Sequence, residues 1–359
     1  KINVLSSYET DPNIDSVSLG TTQAFISKTP LYTRLFELND ITSDQPPLMA
    51  DQTATIPELI PATINSMVAS PVLSIVSLGT VGSSDIYQYR FLTRSREERL
   101  VNSWYKWQLT GTLLTQFFDR STLYVVVQNG TEVYIQSFDM TQSSEQGFLT
   151  LPTGEKTDVC LDLFVTNPLR TYSAADNKTS IFLPYDNVGD KSLSVVVLGD
   201  YGTVMTINST DIQSAAGAKF VELPGDYRGV DMVVGHDYVM TIDLPKLYQY
   251  KIDNNQITND DVSSLIIHRI KVKTGLSGPV DYRVSITGFE DWTNTILVTQ
   301  PNQYQLNNVN MQASSTHVVP IFQRNENLAI RIIGNTPFPV SLLGLDWEGK
   351  LNQRFYRRG

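Results

Sequence analysis

Apolar and polar positions alternate in twos along most of this chain, and the 3.6-residue stripe of an amphipathic helix is scarce. The clearest stretch runs from Thr122 to Phe138. Leu123, Val125 and Val127 take one phase, Tyr124 and Val126 the other, Asn129-Gly130 interrupts, and Val133 and Ile135 resume the period of two. An Asn-Gly step between such runs predicts a hairpin turned on those two residues, because both positions of the tight turn ask for positive φ. Similar strand-like runs recur at 71–77, 85–92, 193–198, 204–207, 238–243, 265–273, 281–287 and 328–333, separated by Gly, Pro, Asn and Asp. Many short strands with regular turn signals predict an all-β chain, part of a β-propeller followed by β-sandwich-like domains.

Two stretches could be helical. Residues 94–101, rich in Arg and Glu, read better as a charged loop, since no apolar stripe extends them; a few residues within 211–219 are the other candidate. Asn167-Pro168, the polar stretch 173–180, Pro224-Gly225 and the segment 253–261 punctuate the chain. They suggest a first β domain over 1–160, a small sandwich-like domain over 161–235 and a C-terminal β domain over 236–359. A loose spacing of a few strands per 40–50 residues in the first part is compatible with propeller blades.

Charge changes this picture little and chemistry less. Lys and Arg number 27 against 37 Asp and Glu, a formal charge of −10, which argues against a protein that grips nucleic acid or an anionic membrane through its net charge. No apolar run reaches the 18 residues of a membrane-spanning helix. One cysteine excludes a disulfide framework and a C-x-x-C pair, and three scattered histidines do not make a metal cluster, so no cofactor is expected. His236-Asp237 reads as a surface turn before a strand, because neighbours on a strand face opposite ways. His268 reads as a residue of an exposed strand face and His317 as one at a strand entry. Cys160 lies in an apolar-rich stretch that reads as strand, where a free thiol behaves as a small buried hydrophobe. Asp253-Asn254-Asn255 and Asn259-Asp260-Asp261 lack the Gly and Glu that a calcium loop places at its sixth and twelfth positions, and read as a solvated loop. Spacing selects no carboxylate pair for glycoside hydrolysis. There is neither a G-x-S-x-G elbow nor a phosphate-cradling G-x-x-x-x-G-K-[ST] loop.

The C-terminus is more telling. Arg354, Arg357 and Arg358 interleave with Phe355 and Tyr356, residue types favoured in interface cores. In an acidic chain such a tail suits an acidic neighbouring surface. Trp104 and Trp107 are further interface candidates, with propeller core as the preferred reading.

Several segments, in order, resemble one family. Asn102-Ser103-Trp104-Tyr105-Lys106-Trp107 is similar to the S-A-W-x-K-W segment of the tail tubular protein B, or nozzle, family of short-tailed bacteriophages. Upstream, residues 85–91 resemble its tyrosine-rich strand, and residues 223–227 leading into 234–238 its approach to a G-x-P-Y step. Asn335-Thr336-Pro337-Phe338-Pro339, then Trp347-Glu348-Gly349 and the Arg-rich last residues, resemble its ending. Asn102, Ser103 and Asp346 stand where the family has Ser, Ala and Glu. The resemblance implies a non-enzymatic virion protein assembled in the host cytoplasm. It implies a C-terminal portion whose propeller is completed by upstream sequence. It further implies a homo-hexameric ring that continues the channel for double-stranded DNA, retains the genome and conducts it at ejection, beside the tail adaptor (tail tubular protein A) and tail fibre proteins. The alternative is a host-surface glycan-binding or glycan-degrading tail protein.

Overall fold

The computed structural model describes residues 9–29, 32–38, 49–93, 99–141, 149–151, 154–185, 191–200, 202–215, 218–248, 250–253, 256–259, 264–296, 311 and 314–352. Among them there is no α-helix; the regular structure is antiparallel strand with short 3₁₀ turns. The chain forms two compact units, residues 1–142 and 143–359.

The first unit is a run of meanders. Strands Val17–Ser18, Gln23–Lys28, Thr33–Leu38 and Met49–Asp51 pair in sequence order, as do Ser66–Ser70, Ile75–Gly79, Asp85–Thr93 and Arg99–Gln108. A third sheet has three strands, Thr112–Asp119, Thr122–Asn129 and Glu132–Asp139. The middle sheet is covered on both faces, which period-two alternation alone would not produce. Tyr87, Tyr89 and Phe91 share a core with Ile26, Leu35 and Ile64. Ile86, one residue out of phase, packs with Leu113, Leu123, Val125 and Val127 of the third sheet. Gly79 belongs to this close approach: a methyl group there would overlap the Leu113 side chain.

The hairpin forms one residue later than the sequence suggests. Asn129 pairs with Glu132, so the two-residue loop is Gly130-Thr131. Gly130 has φ +62° and Asn129 is not at positive φ, the pattern of a turn that needs glycine only at its first central position.

In the second unit, Asp162–Thr166, Met232–His236, Leu193–Val197 and Thr203–Ile207 form one sheet. Arg170–Ser173, Lys178–Leu183, Ala218–Pro224 and Gln213–Ala215 form another. Ile181, Leu183, Val221 and Leu223 meet Leu193, Val195, Met232 and Val234 between them. Met240–Asp243, Leu328–Gly334, Val280–Ile286 and Trp292–Ile296 form a third sheet, and Ser315–Arg324, Ser264–Thr274 and Leu342–Asn352 a fourth, again with one core. Three local expectations are corrected. Of the stretch 94–101, read as a charged loop, residues 99–101 open the strand Arg99–Gln108, while 94–98 lie outside the described residues. The described residues of 211–219 form no α-helix: a 3₁₀ turn at Ser209–Asp211 leads into the strands Gln213–Ala215 and Ala218–Pro224, because Ile212, Phe220 and Val221 offer no helical stripe. The segment 253–261 is not all loop, since Tyr250–Asp253 and Gln256–Asn259 pair as a hairpin.

Candidate functional site

The two segments most like the nozzle family lie on adjacent strands of one sheet, with Trp104 opposite Tyr89 and Trp107 opposite Ile86. The Trp104 and Tyr89 rings stack at 4.8 Å. Trp104 Nε1 donates to the Gln52 carbonyl (3.1 Å), and Tyr89 Oη donates to Gln52 Oε1 (2.9 Å). Gln52 Nε2 in turn donates to Glu37 Oε2 (3.0 Å), whose other oxygen accepts from Thr22 Oγ1 (2.6 Å). Glu37 is 1% exposed, and these hydrogen bonds offset part of the cost of burying its carboxyl group. Burial pushes the Tyr89 phenol above its usual range. Trp107 packs on Phe138 at 5.1 Å. Both tryptophans are half-buried within their own unit. The candidates Arg354, Phe355, Tyr356, Arg357 and Arg358 lie outside the described residues.

A second buried polar cluster joins the middle and third sheets. Gln88 Nε2 donates to Ser77 Oγ (2.7 Å), Ser77 Oγ donates to Gln116 Oε1 (2.7 Å), and Gln116 Nε2 donates to Ser66 Oγ (3.2 Å). Sequence reading missed it, although Gln88 is a polar residue in phase with Ile86 and so carried a signal.

Phe338, at the centre of the Asn335–Pro339 segment, is 3% exposed and packs with Leu149, Leu151, Val159, Leu161 and Met311. The preceding carbonyl, of Pro337, accepts from the Cys160 N–H (2.8 Å). Gly278 lets the segment approach, since a methyl there would lie 2.8 Å from Phe338 Cβ. The segment 223–227 is also structural: Gly225 has φ +109°, and its carbonyl accepts from Thr179 Oγ1 (2.7 Å). Beside it, Arg228 lies over the Tyr172 ring and holds the Asp226 carboxyl down at about 2.

The histidine readings need one correction. His236 does not lie in a surface turn; it ends the buried strand Met232–His236 with no exposure, because Asp162 and Leu193 flank it in the sheet. Its Nδ1 lies 3.1 Å from the Ser192 carbonyl, while Nε2 is buried without a partner, as is the hydroxyl of the neighbouring Tyr185. Burial pushes the imidazole pKa down. His268 is half-buried and stacks on Phe322, and His317 Nε2 sits 2.7 Å from Ser315 Oγ. Cys160 precedes the strand Asp162–Thr166 rather than lying in it. Burial raises its thiol pKa and its side-chain partner is Tyr238, so it is held as a thiol and not as a nucleophilic thiolate. Among the described residues no three His, Cys, Asp or Glu converge on a metal-sized position.

The side chains that converge do so to lock sheets together. That defines the class: an all-β protein of many small antiparallel sheets, with the polar clusters around Gln52 and Ser77 tying neighbouring strands and sheets within a unit. The family profile of the bacteriophage nozzle protein matches residues 1–358, and the chain belongs to that family. No significant match was found among curated protein sequences. Among solved structures, an exo-β-1,3-galactanase from Phanerochaete chrysosporium with galactose aligns over 94% of this chain and 94% of its own, at 9% identity and a TM-score of 0.22. A fructofuranosidase from Schwanniomyces occidentalis aligns over 92% and 79%, at 11% identity and a TM-score of 0.18. Likenesses at these scores carry no argument about fold or activity.

Proposed function

We propose that this chain is a non-enzymatic wall component of a short phage tail, six copies of which surround the channel through which double-stranded DNA is held and then ejected. The family match over residues 1–358 carries this reading. The three meanders of the first unit are then blades of a propeller within 1–160, followed by the sandwich-like 161–235 and the C-terminal β domain 236–359. The tail residues Arg354–Arg358 dock on an acidic neighbour, the adaptor ring or a fibre protein. Assembly takes place in the host cytoplasm.

A DNA conduit must not bind its cargo. Duplex DNA carries about one negative charge per 1.7 Å of axis, so a basic wall would hold it through counterion release. An acidic wall repels it within a Debye length of about 8 Å at physiological salt. The acidity is not confined to one part: each unit has five more acidic than basic residues, nine against fourteen in the first and eighteen against twenty-three in the second. The test is the assembled ring seen by electron microscopy. A sixfold ring with a predominantly acidic bore is expected. A predominantly basic bore, or a chain that binds glycans and forms no ring, overturns the reading.

A further inference from the structure

The third sheet of the first unit has an outer face that its own fold does not need. Its inner face is filled by Leu113, Leu123, Val125 and Val127. A sheet with one solvated face ordinarily turns polar residues outward. Here Phe117 and Tyr124 lie opposite each other with stacked rings (5.3 Å), and Val126 lies opposite Ile135. Phe117 is 45% exposed, Val133 56% and Ile135 69%. Charges stand at the rim, where Asp119, Glu132 and Asp139 outnumber Arg120. The edge strand Glu132–Asp139 has one neighbour among the described residues, and it carries neither the lysine nor the proline that usually protects such an edge.

The fourth sheet of the second unit presents the opposite chemistry. On its outer face Arg269, Lys271 and Lys273 follow one another, with Arg324 and Lys350 opposite Ile266, against Asp346 and Glu348. That is five basic and two acidic groups in a chain of net charge −10. Beside them Val318 (47%) and Phe322 (67%) are exposed. Phe322 has φ +54°, an outlier for an aromatic residue, beside the register shift between Ile267 and Arg269, and its ring stacks on His268.

We infer that the acid-rimmed apolar face at 112–139 of one copy docks on the basic, Phe322-bearing sheet face of the next copy. The inference rests on the ring reading above and adds the surfaces that would build it. Like rim charges disfavour contact of the 112–139 face with itself, and two unlike faces make a head-to-tail contact, the kind that closes rings. The three exposed side chains offer about 300 Å² of apolar surface. A standard interface buries about 800 Å² per partner, somewhat over half of it apolar, so the patch supplies a large part of one.

The test uses the full chain with Ile135→Asp and Phe322→Asp, each outward-facing, with retained folding checked by circular dichroism and thermal melting. Mass photometry of the wild type is expected to show a multi-subunit particle. Each variant alone is expected to run at one-chain mass, with self-association weakened about 100-fold by the carboxylate placed in the contact. An equimolar mixture is expected to give two-chain particles, since each variant keeps the face the other has lost. A wild type at one-chain mass overturns the ring reading, and this contact with it. A wild-type assembly that either variant still forms, or a mixture that stays at one-chain mass, overturns the contact and leaves the ring reading standing.

Discussion

Phe338 offers a measure of how far the second unit depends on one inserted side chain. Its ring is 3% exposed among Leu149, Leu151, Val159, Leu161 and Met311. Phe338→Ala removes about 100 Å³ of side chain, which at about 24 cal/mol per Å³ of unfilled cavity costs about 2 kcal/mol. The transfer free energy of the lost ring adds about 2 kcal/mol, so 3–5 kcal/mol is expected, roughly the upper range for such truncations. The segment has little freedom to collapse into the space, because it is held by prolines at 337 and 339 and by the bond from Cys160 N–H. The assay is urea unfolding followed by tryptophan fluorescence with Trp104 and Trp107 replaced by Phe, so that Trp292 and Trp347 report on the second unit alone. With m near 3 kcal/mol/M, the midpoint should fall by roughly 1–1.7 M at unchanged slope. Phe338→Leu should lose less than half as much. A shift below about 0.3 M for the alanine variant would show that the ring is not a core residue, and the packing argument would fail.

Three further outcomes follow from local geometry. Arg120 sits at φ +52° in the two-residue turn between Asp119 and Thr122, so Arg120→Gly should raise stability by about 0.5–1 kcal/mol, read as a higher melting temperature; a loss would refute the strain. Gly79→Val should destabilise by about 2 kcal/mol or more, since even a methyl meets Leu113, and a neutral result in urea melts would deny the close approach. His236 has its folded pKa below the unfolded value of about 6.5, so the unfolded chain binds the extra proton first. Its contribution is therefore complete above about pH 6.5 and is lost as pH falls from there through the folded pKa. His236→Gln should flatten that part of the stability–pH curve, and an unchanged slope would count against the burial argument.

Much of the strand content could be read from period-two alternation, because most sheets here have one face in a core and the other outside it. The reading erred where that condition fails. Strand Ile75–Gly79 is buried on both faces, so the pattern reported a strand but not the layer on its far side. Asn129-Gly130 announced a turn, yet cross-strand pairing of Asn129 with Glu132 moved the loop by one residue, a choice made by register and not by the dipeptide. His236-Asp237 reads in the sequence as a turn before a strand, but His236 ends the strand before that turn, and its burial comes from strands distant in sequence. The polar clusters around Gln52 and Ser77 were hidden for the same reason. The Gln52 cluster joins residues 15 to 52 positions apart and the Ser77 cluster residues 11 to 50 apart, and the phase of a polar residue such as Gln88 marks its face without saying whether water or another sheet covers that face.

Net charge, at first only an argument against nucleic-acid grip, takes a definite physical role if the proposed surfaces meet. The positive sheet face around Lys271 is the conspicuous exception in an acidic chain. In a ring each copy covers both faces, five basic with two acidic groups on one and one basic with three acidic groups on the other, which would leave the rest of each copy near −11 rather than −10. Assembly would then make the accessible surface more acidic than that of the isolated chain, and would do so by the same contact that closes the ring. The contacts between copies should weaken with added salt as the complementary rims are screened, while the apolar centres around Ile135 and Phe322 persist.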